Sequence, residues 1–152
     1  QGLNPDKWSQ LGEDNYGRVN DGLLQQWDTT GLSGLYTIQL LVVRNDQQFD
    51  LATVQVTVDN QSPAVSITAP WPGKIVDIDE ESIVIQPDVG DDFSVAFVEI
   101  WVNDKKVETR TIAPFATRWK IDAVGSHSIH VRASDAAGNV TRSEDVPVFV
   151  VR

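Results

Sequence analysis

The chain contains no cysteine and no methionine and only two histidines among its 152 residues. Without cysteine there is no disulfide, no thiolate zinc site, no iron–sulfur cluster and no Cys nucleophile. Stability must then come from apolar burial, which is demanding for a small module because it hides a smaller fraction of its surface. No apolar run approaches the ~18 residues that a membrane-spanning helix requires, and no charged-then-apolar signal segment opens the sequence. The absence of Met, even at position 1, reads as a piece of a longer polypeptide. Positive charge is also scarce. Twelve Lys and Arg against 22 Asp and Glu leave a formal net charge of −10, which disfavours a nucleic-acid partner because such a surface repels phosphate.

Helical periodicity is missing too, and alternation takes its place. Tyr36, Ile38, Leu40 and Val42 share one face, with Thr37 and Gln39 on the other. Val54, Val56 and Val58 repeat the pattern, as do Val98, Ile100 and Val102, then Ile129, Val131 and Ala133, then Val146, Val148 and Val150. A period of two with many β-branched residues predicts half-buried strands and an all-β fold. Turn chemistry fills the gaps. Asn45-Asp46-Gln47-Gln48, Asn103-Asp104-Lys105-Lys106 and Ser134–Asn139 carry the Asn, Asp and Gly that tolerate positive φ or bond the backbone ahead. Short strands with turn signals at roughly 8–12-residue spacing suggest a sandwich.

The polar stretch Asp59-Asn60-Gln61-Ser62-Pro63 marks a boundary, since its Pro cannot join a central ladder. It divides the chain into a first unit at 1–60 and a second at 61–152. The second has room for strands near 65–70, 75–78, 82–86, 95–102, 106–121 (one or two pieces), 127–133 and 144–151. The first has room for four or five, too few for two covering sheets. Either the sequence therefore begins inside a domain, or a neighbouring molecule or module covers the gap. In a homodimer, Gln1–Gln10 would reach across.

The first unit, with Leu3-Asn4-Pro5, Trp8, Leu11-Gly12, Gly22-Leu23-Leu24, Trp27-Asp28-Thr29, Gly34-Leu35-Tyr36-Thr37 and Val56-Thr57-Val58-Asp59-Asn60, resembles a β-sandwich repeat in the C-terminal tails of large exported bacterial proteins. Prominent among these are class A penicillin-binding proteins, the peptidoglycan transglycosylase–transpeptidases. In that family two further strands precede the Asn4-Pro5 region. The second unit, with Val98-Glu99, Ala113-Pro114-Phe115, Trp119, Gly125-Ser126-His127 and Ala133–Asn139, is similar to bacterial Ig-like domains of surface and wall proteins. The resemblance implies two tandem immunoglobulin-like β-sandwich modules, the first truncated at its N-terminus. It also implies an extracellular or cell-wall location, contact with the membrane only through a parent protein, and a cell-wall glycan or protein as partner. The parent family's Ser-x-x-Lys motif is absent, so no catalytic residue carries over.

His127 and His130 sit three apart on one strand and face opposite sides, so they cannot share a metal. His127 follows the core phase of Ile129, and His130 points outward. With Ser, His and Asp scattered across strands, a hydrolytic triad has no positional support, and no catalytic residue is assigned. Two carboxylate groups, Asp77, Asp79, Glu80 and Glu81, and then Asp91 and Asp92, occupy loops that a sandwich would bring together. Asp59-Asn60 adds a third set. Calcium, which takes several hard oxygens, is the one cation expected there, with Asp77, Asp79, Asp91 and Asp92 as ligands, although the spacing is not that of an EF-hand. Acidic clusters also arise by chance in so acidic a chain.

The aromatics are more telling. With Val98, Ile100 and Val102 inward, Phe97 and Trp101 point out. Phe149 does the same on the last strand, and His130 and Arg132 on the strand between. In an Ig-type sandwich these strands are neighbours, so the five residues are expected to form one outer patch, a usual mark of a binding face. The plainer alternative is that a loop or the first unit covers them. Trp71, in the turn Trp71-Pro72-Gly73, seals the joint between units or stacks on sugar. Trp8, Trp27 and Trp119 read as core pillars. A non-catalytic spacer or docking region is thus expected, with a carbohydrate-binding module or a calcium-rigidified adhesin segment as alternatives.

Overall fold

The structure is a computed structural model that describes residue 2 and residues 5–152. Leu3 and Asn4 of the Leu3-Asn4-Pro5 motif lie outside the described residues, as does Gln1. The chain separates into two compact units, Gln1–Asn60 and Gln61–Arg152. Among the described residues, eleven strands and one 3-10 turn make up the regular structure, so the fold is all-β. No described helix is long and apolar enough to cross a membrane.

The first unit contains one antiparallel ribbon, β1 (Gly34–Val43) and β2 (Phe49–Val58), paired from Gly34↔Val58 to Val43↔Phe49. Its loop closes through the Arg44 N–H donating to the Gln48 carbonyl at 2.7 Å, with Gln47 in the left-handed region at φ 65°. An Arg44–Asp50 ion pair at 2.5 Å straps the tip. The pairing puts Tyr36, Ile38, Leu40, Ala52, Val54 and Val56 on one face. Leu40, Leu41, Val42, Val43, Phe49, Leu51 and Val54 all remain exposed.

Two strands are described here, against the four or five expected from the sequence. Residues 5–33 carry their apolar side chains singly, or as the pair Leu23-Leu24, without the alternation that a strand needs. They are held by single hydrogen bonds instead, one of them local and two reaching back from residue 60. Thr30 N–H donates to Asp28 at 2.9 Å, and the Asn60 amide donates to the Thr29 and Leu32 carbonyls at 2.6 and 3.0 Å. Trp8 is exposed rather than a core pillar, whereas Trp27 meets Tyr36 edge-on at 5.1 Å.

The second unit is a two-layer sandwich. One sheet runs β4 (Lys74–Asp77), β11 (Val146–Val151), β9 (Gly125–Asp135), β6 (Val95–Val102) and β7 (Lys105–Arg110), and β10 (Val140–Arg142) pairs with β9. Three strands form the other, β3 (Ala64–Ala69), β5 (Ser82–Gly90) and β8 (Thr117–Lys120). Every pairing is antiparallel except β4 with β11. The alternating inward residues of both layers meet in one core: Val76, Ile83, Ile85, Val98, Ile100, Trp119, Ile129, Val131 and Val148 among others. This is the aligned sheet-on-sheet solution to burying two apolar faces.

Two turns fix the geometry around the larger sheet. Val102 pairs with Lys105, leaving Asn103 and Asp104 as a two-residue loop with φ of 49° and 61°. Among residues with a Cβ, Asn and Asp tolerate that conformation best, and its twist matches the flanking strands. The Asn103 side chain then accepts from Ser128 N–H at 2.9 Å and donates to His127 Nδ1 at 2.9 Å. That bond leaves His127 Nε2 to donate to the Ala123 carbonyl at 3.0 Å, with the ring packed 4.8 Å from Trp119. Between β9 and β10, the Asp135 carboxylate accepts from Gly138 N–H, Asn139 N–H and the Asn139 amide at 2.7, 2.9 and 2.7 Å. Burial pushes this carboxyl up, but these bonds outweigh it and hold the group below the ordinary range.

Candidate binding face on the larger sheet

The outward side chains of β6, β9 and β10 meet where register places them. Trp101 lies directly across from His130, Glu99 across from Arg132, and Arg132 across from Arg142. The Trp101 and His130 rings are 5.8 Å apart between centroids, with only 9° between their planes. Around them is an open depression of about 390 Å³, lined by Trp101, Asp104, His130, Arg132, Val140 and Arg142.

Most charges in this neighbourhood are already matched. Glu99 accepts from Lys106 Nζ at 2.9 Å and from Trp101 Nε1 at 3.3 Å, and the Lys106 bond in particular holds its carboxyl below the ordinary range. Arg142 donates to Asp145 at 2.8 Å and to the Ser143 carbonyl at 3.2 Å, and Ser128 Oγ adds a bond to Asp145 at 3.1 Å. The Arg142 bond comes first among the causes that keep the Asp145 carboxyl low. His130 Nδ1 is 3.7 Å from that carboxylate, yet burial, with the Arg142 charge next, drives its pKa below the usual 6.5. The ring is therefore neutral at neutral pH. Arg132 is exposed and makes no hydrogen bond or close ion pair among the described residues; its charge faces Glu99 across the strand pair and adds a smaller share to holding that carboxyl low.

Of the six residues expected at a binding face, three share this depression: Trp101, His130 and Arg132. His130 does take the outward phase, but it is only 6% exposed, because Trp101 and the Arg142–Asp145 pair enclose it. Phe97 is half-buried opposite Ser134, beside a bulge in the β6–β9 register. Phe149 faces the same side and is 42% exposed, but its partner on β9 is Ser126, four residues from His130. At about 3.3 Å per residue that places it roughly 13 Å along the strand, beside Ile75 of β4. The expected single patch is thus two. Trp71 stands 64% exposed in the turn before β4, with Lys74 Nζ 5.2 Å above its ring.

The expected calcium ligands do not converge. Asp77 caps the 3-10 turn at Ile78–Glu80, accepting from Asp79 N–H at 2.9 Å and forming a capping box with Glu80. Asp91 and Asp92 follow the far end of β5, so a nine-residue strand of about 26 Å separates the two sets. Asp91 itself accepts from Phe93 and Ser94 N–H at 3.0 and 2.9 Å. Its carboxylate lies within 4.8 Å of that of Asp135, which is already engaged by the β9–β10 turn.

Sequence reasoning missed Arg142, Asp145, Asp104 and Val140. The signal for Arg142 was the outward phase of Val140-Thr141-Arg142, hidden because β10 is only three residues long.

Two packed antiparallel-rich sheets with this core define an Ig-like β-sandwich module. The family model for the bacterial Ig domain matches residues 63–131. Among solved structures, a fibronectin(III)-like module of Clostridium thermocellum CbhA is 26% identical, covers 57% of this chain and 94% of its own, and superposes with a TM-score of 0.54. An engineered protein (21% identity, 59% of this chain, 20% of that one, TM-score 0.45) and a Jonesia denitrificans lytic polysaccharide monooxygenase (16%, 54%, 60%, 0.39) also match. No curated protein matches. Ig-like and fibronectin-III-like modules are generally non-catalytic, and the second unit is a module of that kind.

Proposed function

We propose that this chain is a non-catalytic accessory region of an exported bacterial cell-wall protein, which docks to the wall through the outer face of the larger sheet of its second unit. The observation that carries this reading is the Trp101–His130 pair beside the uncommitted Arg132, in an open depression on rigid strands. Aromatic and Arg side chains dominate binding energy because they bury large area with few lost rotamers. Strand-borne residues also present it without a folding cost on binding. The resemblance of the first unit to penicillin-binding-protein tails makes such an enzyme the favoured parent, with the region serving as spacer and anchor on the outer side of the membrane.

Co-sedimentation with purified wall sacculi tests the reading. Wild-type protein should pellet with sacculi, and Trp101→Ala combined with Arg132→Ala should leave it in the supernatant with an unchanged far-UV spectrum. Equal pelleting of the two proteins would overturn the assignment of this face.

A further inference from the structure

The depression has a chemical selectivity that a generic docking face would not need. Its flat element is the half-buried Trp101 ring, which lies parallel to the buried His130 ring stacked beside it and lines the depression, where it suits the C–H face of a pyranose ring. Its acids are unequal. Glu99 is taken by Lys106 and Trp101, Asp145 by Arg142 and Ser128, and only Asp104 is left to accept from ligand hydroxyls. The cations are unequal as well. Arg142 is spent on Asp145, while Arg132 keeps its planar fork of N–H donors open in a chain where acids outnumber bases by ten, 22 to 12. An uncommitted guanidinium beside an aromatic platform matches a planar carboxylate held bidentately next to a stacked ring.

We propose that this site binds an acidic saccharide: a pyranose stacks on Trp101, its carboxylate pairs with Arg132, and its hydroxyls reach Asp104. The inference rests on the docking face described above and names its ligand class. A flexible acidic peptide would supply the carboxylate but not the rigid ring that the platform fits, so peptide binding is an outcome of the test.

The test is a titration of the whole chain with trigalacturonate and with its uncharged counterpart galactotriose, read by calorimetry and by the Trp101 indole N–H resonance. Trigalacturonate should bind at least tenfold more tightly, shift the Trp101 indole and lose about tenfold in affinity with Arg132→Gln, which deletes the charge-assisted bonds to the carboxylate. Arg132→Lys should recover only part, because a point charge cannot bond bidentately. Arg132 is exposed, so these variants fold, and Trp101→Phe should retain weakened binding. Equal affinity for both sugars, indifference to Arg132→Gln, or tighter binding of a poly-Glu peptide than of trigalacturonate would overturn the proposal. If sacculi in those cases still pellet the wild-type protein but not the Trp101→Ala, Arg132→Ala double variant, the docking face stands and only its ligand class falls. Loss of both removes the face as well.

Discussion

Replacing Ile100 by Ala probes where the stability of this chain resides. Ile100 is 0% exposed, pairs with Val131 across β6–β9 and lies in the continuous core between the two sheets. The substitution removes three carbons, about 2.4 kcal/mol at ~0.8 kcal/mol per buried methylene, before any cavity term. Strands paired on both sides cannot collapse into the void, so a cost of about 3–4 kcal/mol is expected, within the range for Ile→Ala in cores. In a domain of this length each kcal/mol moves Tm by ~4–8 °C, so the second unit should melt roughly 15–25 °C lower. Leu51 gives the contrast. It sits on the β1–β2 ribbon, 53% exposed, and Leu51→Ala should cost no more than about 1 kcal/mol. Differential scanning calorimetry of both variants reads the difference directly. Equal shifts, or an Ile100→Ala change below about 1 kcal/mol, would refute the placement of the core.

Acid should destabilise the second unit in two stages. His130 titrates below 6.5 in the folded state, so the unfolded chain binds the proton first. Stability is then full above that value and falls as pH drops through 6.5 toward the lowered pKa. Glu99, Asp135 and Asp145 are held below their ordinary values of 4.5, 3.8 and 3.8, so what they contribute persists above those values and is lost below them. Melting curves from pH 7.5 to 3 should show both stages, and His130→Gln should remove the first alone. At the β6–β7 turn, Asn103→Ala keeps a Cβ in the left-handed region but loses the polar side chain that makes Asn tolerable there, and it breaks the links to Ser128 and His127, for about 2–3 kcal/mol in urea unfolding. Asn103→Gly relieves the backbone and should cost about 1 kcal/mol less. Equal costs would show that the φ of 49° carries no penalty.

Alternation in the sequence was enough to place the interior of the second unit, because a half-buried strand writes its burial directly into a period of two. Val98-Ile100-Val102 and Ile129-Val131-Ala133 point inward as their phase requires. The same phase put Trp101, His130 and Arg132 on one surface. Phase says nothing about distance along a strand, however, and Phe149 was therefore grouped with residues that its pairing to Ser126 keeps apart. Nor does it show what covers an outward side chain: His130 is enclosed by Arg142, from a strand too short to announce itself, and by Asp145, from the loop that follows it. Parallel pairing of β4 with β11 leaves no local mark either, since it joins segments some 70 residues apart. In residues 5–33 the large apolar residues are present without the spacing of a strand, and their number alone suggested more sheet than is there.

The proposed docking surface is the outer face of the larger sheet. Amide and indole chemical-shift mapping with solubilised wall glycan tests it most directly. Shifts should be confined to Glu99, Trp101, Asp104, His130, Arg132 and Arg142 and their strand neighbours. Shifts centred on the β3–β5–β8 sheet or on the β1–β2 ribbon, with the Trp101 indole unmoved, would contradict it.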